Sequence, residues 1–73
     1  MKVRDVIRIL SEHGFELTRQ RGSHRHYVGF YNGRRRLVTV PGTDGEDLPK
    51  GTLAAIRRQS GLPRRLFRKR KTR

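Results

Sequence analysis

The chain has 73 residues, no cysteine, and 19 Lys and Arg against 6 Asp and Glu, for a formal net charge of +13. That length makes one small domain with a marginal core, and the absence of cysteine excludes disulfides, thiolate nucleophiles and cysteine-based zinc sites. No apolar run reaches the length of a membrane span, the first residues carry no apolar signal core, and no internal repeat is present, so a cytoplasmic protein is expected.

Seven of the basic residues (Arg64, Arg65, Arg68, Lys69, Arg70, Lys71 and Arg73) lie in the last ten positions, and without them the body still carries about +6. An excess of this density attracts polyanions and releases their counterions on binding. The expected partner is nucleic acid, or an acidic protein that competes for the same surface.

Taken in order, residues 3 to 13 have a helical period, with Val3, Val6, Ile7 and Leu10 on one stripe and Ile9 broadening it. Gly14 is placed to end that helix in a left-handed conformation, with Phe15 packing back on the last turn. His13 belongs to that turn and has a structural role. Phe15 to Gln20 alternates apolar and polar as a half-buried strand does. Gly22-Ser23 supplies a turn, and His24 to Tyr31, rich in aromatic and β-branched residues, forms a second strand. Asn32-Gly33 is a two-residue hairpin turn, because both residue types tolerate positive φ. Arg34 to Val40 follows as the third strand, with Val38 and Val40 on one face and Leu37 and Thr39 on the other. Pro41 ends it.

Residues 42 to 47 form a loop with three of the six acids, Asp44, Glu46 and Asp47. They lack the ligand pattern of a calcium loop. Leu48 to Ser60 is a second helix, with Pro49 in its first turn, Leu53 and Ile56 on its apolar side and Gly61 as its terminator. Leu66 and Phe67 are candidate anchors for a short third helix, but a frayed, disordered basic tail over residues 63–73 is the expectation after a domain over residues 1–62.

The predicted fold class is α+β, in the order α-β-β-β-α. Short connections favour an antiparallel three-stranded meander with both helices on one face, leaving the other face for a partner. Alternation sends His24, His26, Val28 and Phe30 one way along the second strand and Arg25, Tyr27, Gly29 and Tyr31 the other. Bulky residues stand on both sides, so periodicity leaves open which face is core.

Four features together resemble the HicA toxins, the small mRNA interferases of HicA–HicB toxin–antitoxin systems. They are the opening helix closing on Gly14-Phe15; Gly22-Ser23-His24 followed by Tyr27; a strand ending Val38-Thr39-Val40-Pro41; and a helix running from Leu48-Pro49-Lys50-Gly51-Thr52-Leu53 to Arg58-Gln59-Ser60-Gly61-Leu62. The resemblance implies a double-stranded-RNA-binding-domain-like fold and an endoribonuclease that cleaves mRNA and so inhibits translation. It places the catalytic histidine at His24. It implies a HicB-type antitoxin that covers the active surface, with DNA contacted only indirectly through that antitoxin. Two departures stand out. Many members carry a histidine shortly after the proline that ends the third strand, where this chain has Gly42-Thr43, and the run from Arg64 is far more basic than the family's usual ending.

The residues suit that chemistry. RNA cleavage without a metal needs the 2′-hydroxyl to lose a proton and the leaving 5′-oxygen to gain one, and imidazole serves both tasks near neutral pH. His24 is the candidate general base or acid, and His26 is a weaker second candidate. Arg21, Arg25 and Lys50 are candidates to hold phosphate, and Ser23 and the backbone amides at Gly22 are candidate hydrogen-bond donors to it. Tyr27 and Tyr31 fit sheet packing better than base stacking. Lys50-Gly51-Thr52 lacks the glycine framework of a phosphate loop. No metal or other cofactor is expected. Two readings from other classes remain: a noncatalytic double-stranded RNA-binding module, for which the turn histidine is unnecessary, and a small structural component of a ribosome or RNA particle.

Overall fold

In a computed structural model of the chain, which describes residues 1–68, the element order is α1 (Val3–Glu12), β1 (Glu16–Arg21), β2 (His24–Tyr31), β3 (Arg34–Val40), α2 (Lys50–Ser60) and a single 3-10 turn at Arg64–Phe67. The strands form one antiparallel sheet in the order β1-β2-β3. This is the α+β meander expected from the sequence.

Local chemistry sets each boundary. Val3, Val6, Ile9 and Leu10 are buried along α1, and the Asp5 carboxylate accepts the Lys2 backbone amide across the first turn. The next free amides at that helix start go to the acidic loop, with Val3 N–H donating to the Glu46 carbonyl at 2.8 Å and Arg4 N–H to that of Asp44 at 3.1 Å. Lys2 also sits 3.7 Å from Asp47. The loop acids therefore secure α1. At the other end Gly14 has φ +83°, and Phe15 turns back so that its amide meets the Leu10 carbonyl and its ring is buried. His13 Nδ1 lies 2.8 Å from the Ile9 carbonyl, to which it donates.

Asn32 and Gly33 both take positive φ, and this turn fixes the register of β2 on β3 from Tyr31↔Arg34 to Arg25↔Val40. The β1–β2 ladder is interrupted between Leu17 and Arg19, where the Thr18 hydroxyl donates to the His26 carbonyl at 3.1 Å.

The sheet has one core face. Tyr27, Val38 and Val40 are buried with Val3, Val6, Leu10, Phe15, Ile56 and Leu62 in a single cluster. Gly29 shares that face, and a Cβ on it would lie 2.6 Å from the Phe15 ring. Gly29→Ala is therefore expected to push Phe15 off its seat and cost about 1–3 kcal/mol, read as a lower urea midpoint at unchanged m-value.

Three elements differ from the sequence reading. β1, expected to be half-buried, is exposed at all six of its residues, because it is an edge strand with only β2 beside it. α2 begins at Lys50 rather than Leu48, because Pro49 has the extended geometry of a cap residue while Leu48 is buried ahead of the helix. The tail expected to fray from residue 63 instead folds back: Pro63 leads into the turn Arg64–Phe67, and Phe67 is buried in the core cluster with Leu66 packed against it. Two apolar side chains, Leu66 and Phe67, hold a segment whose other residues, Arg64, Arg65 and Arg68, are cationic. The remainder of the basic run, Lys69 to Arg73, lies outside the described residues.

Candidate functional site

The register assigns the second sheet face residue by residue. Cross-strand partners share a face, so His24 stands beside Arg21, His26 lies between Arg19 and Thr39, Val28 between Glu16 and Leu37, and Phe30 beside Arg35. Neither helix covers this face. His24 is exposed, Phe30 is 70% exposed and Leu37 59%. Glu16 is its one acid among the described residues.

The turn at Gly22-Ser23 brings the ends of β1 and β2 together and projects His24 at the sheet margin. Gly22 takes φ +56°, and the Gln20 side-chain amide donates to its carbonyl at 3.0 Å, which pins the turn from the β1 side. Two residues along β2, His26 has its Nδ1 3.2 Å from the Thr39 hydroxyl, a contact that engages one ring nitrogen and holds the imidazole against β3. Thr39 is held in its turn by α2, whose Gln59 side chain accepts the Thr39 amide at 3.2 Å. The His24 end of the open face thus carries two imidazoles and, opposite them on β1, the guanidiniums of Arg19 and Arg21. A phosphodiester laid there would meet positive charge and groups able to exchange protons.

The sequence-derived site residues do not all converge. Arg21, Gly22, Ser23 and His24 are contiguous in space. Arg25 faces the core side, where its guanidinium lies 2.7 Å from the Asp44 carboxylate with the Arg25 side chain 19% exposed. Strand alternation puts it through the sheet from its neighbour His24. Lys50 opens α2 and lines a groove on the helix side with Leu53, Arg57, Arg64, Phe67 and Arg68. Of the three candidates to hold phosphate, Arg21 therefore stands beside His24, whereas Arg25 and Lys50 lie on the helix side of the sheet. Tyr27 packs in the core and Tyr31 against it, so the aromatic left on the open face is Phe30. Its signal in the sequence is parity: it stands six residues beyond His24, on the same side of the strand.

A family model described as the HicA toxin of bacterial toxin–antitoxin systems matches residues 3–62. The chain belongs to the HicA toxin family. The match runs from the start of α1 past the end of α2 and includes every residue of the open face. Membership makes the protein the toxin of a toxin–antitoxin pair and implies a cognate antitoxin as partner. A search of curated proteins finds no match. No described helix is long and apolar enough to cross a membrane.

In this HicA family member the Arg25–Asp44 pair also reaches the core. Burial pushes the Tyr27 phenol above its ordinary value of 10.0, an effect that the adjacent Arg25 guanidinium opposes and Asp44 reinforces. The folded pKa is therefore raised. The corresponding stability is fully present below pH 10.0, where both states are protonated, and is lost as pH rises through the folded value, because the unfolded chain releases its proton first. Tyr27→Phe is expected to flatten that alkaline fall. Urea unfolding of both proteins at neutral pH and above pH 10 checks it, and parallel curves would show that the phenol plays no part.

Proposed function

We propose that the protein is the ribonuclease of its toxin–antitoxin pair, an endoribonuclease that cuts mRNA by acid–base catalysis at His24 and thereby blocks translation. The observation that carries this reading is the exposed His24 imidazole beside Arg21 at the margin of an open, cationic sheet face, in a chain of the HicA family.

In the step proposed, His24 removes the proton of a 2′-hydroxyl as its oxygen bonds to the adjacent phosphorus, and the P–O5′ bond breaks. The departing 5′-oxygen takes a proton, from His24 after it has been charged or from His26, which lies two residues along the same face. Arg21 and Arg19 offset the charge that builds on the non-bridging phosphoryl oxygens. Ser23 and the amides around Gly22 supply hydrogen bonds at the turn. Arg25 fixes the acidic loop through Asp44, and Lys50 contributes charge to the helix-side groove. The protons and bonds balance with the protein's own side chains, so no metal or other cofactor is called for.

The antitoxin neutralises the protein by covering this face, and the protein acts in the cytoplasm, where its substrate is. The test is RNA cleavage by the purified full chain in excess EDTA. Cleavage supports a metal-independent ribonuclease. Salt-sensitive binding of RNA with no cleavage overturns it in favour of a noncatalytic RNA-binding module.

A further inference from the structure

We infer that Phe30 is a base-stacking residue, and that the open sheet face takes single-stranded RNA, with one unpaired base on Phe30 and the backbone running along β2 to His24. The inference rests on the ribonuclease reading for its substrate and adds what that reading leaves open, the strand state and the residue that selects it.

The physical case begins with an anomaly of burial. Single exposed apolar residues are ordinary, but Val28, Phe30 and Leu37 adjoin one another on one face, with Phe30 70% and Leu37 59% exposed. Tyr27 and Tyr31, on the same strand, turn to the core side. The ring left outside is therefore available as a flat platform, with Leu37 and Val28 as its apolar floor.

The surrounding charge selects the occupant. Arg35 is the cross-strand partner of Phe30, and Arg19 and Arg21 lie further along the same face. A purely apolar segment would leave the guanidiniums unmatched, whereas a single nucleotide matches both parts, its base on the ring and its phosphate on a guanidinium. Continuity supplies the second argument. Phe30 and His24 are six residues apart on one face of one strand, a span of about 20 Å that a few nucleotides bridge. In duplex RNA the base faces are stacked inside the helix and out of reach of the ring, so Phe30 favours unpaired RNA.

The experiment uses the full chain carrying His24→Ala, which keeps the probe intact, and fluorescence anisotropy with a labelled oligouridine and with an RNA duplex of the same length. Adding Phe30→Ala is expected to weaken oligouridine binding about 5- to 150-fold, the range for loss of one base–aromatic stack, with duplex binding unchanged. Phe30→Trp restores the affinity. The salt dependence of oligouridine binding is expected to keep its slope in Phe30→Ala and to lose about 0.7 in Arg21→Ala, since only the second removes a phosphate contact. Equal oligouridine affinity with and without Phe30, or an equal loss on duplex, overturns the inference. So does loss of affinity for the antitoxin alone, which would make the patch a protein-docking surface. The ribonuclease reading fails separately. If the wild-type chain cuts no RNA but Phe30→Ala still loses the single strand selectively, the stacking assignment stands on a binding protein.

Discussion

His24→Ala is expected to lower RNA cleavage by about 10²–10⁴-fold, the usual contribution of a positioned acid–base group, and to abolish growth arrest on expression. The fold should be untouched. His24 is exposed, and a surface substitution of this kind shifts stability by no more than about 0.5 kcal/mol. RNA affinity should also persist, because Arg19 and Arg21 remain on the face. Loss of turnover with retention of both fold and binding is the signature that separates a catalytic group from a merely cationic one. Equal cleavage by wild type and His24→Ala would move the chemistry elsewhere or expose a contaminating nuclease. His26→Ala is the informative companion. If His26 delivers the proton to the leaving oxygen, its loss slows cleavage by a comparable factor. If His24 serves both steps, the His26 variant keeps most of its activity.

Phe67→Ala is expected to cost about 3–5 kcal/mol, the range for deleting a buried aromatic side chain. The ring is 5% exposed within the single core cluster, and the turn that carries it contacts both helices. The total stability of a domain of this size lies near the low end of about 5–15 kcal/mol, so one such deletion removes most of it. The melting temperature should fall by more than about 12 °C. A chain ending at Leu62 is expected to behave alike, although it deletes only residues outside the stretch that matches the family. Unchanged melting in either variant would show that the turn at Arg64–Phe67 is an ornament on a core complete without it.

Arg64 to Arg68 is anchored by Leu66 and Phe67 and places Arg64 and Arg68 beside Lys50 and Arg57 in the helix-side groove. That groove is a second cationic surface, through the sheet from the open face.

The sequence by itself determined the elements and their order. Each was written in local terms: the spacing of Val3, Val6 and Leu10, the positive-φ residues Gly14, Asn32-Gly33 and Gly61, and the alternation of Val38 and Val40 with Leu37 and Thr39. These signals involve residues within a few positions of one another, so a linear reading captures them. It also marked His24, through a motif that spans one turn. The tertiary structure alone decided which face of β2 is core. Both faces carry bulky residues, and the choice was settled by Gly29, whose bare backbone makes room for the Phe15 ring brought there by α1. That choice buried Tyr27, exposed Phe30, and separated Arg25 from His24 by the thickness of the sheet. It also gave Arg25 a carboxylate partner from a loop 19 residues away and drew Phe67 into the core. These outcomes depend on contacts between segments distant in the chain, where the gain from burial is decided by shape and space that no local pattern encodes.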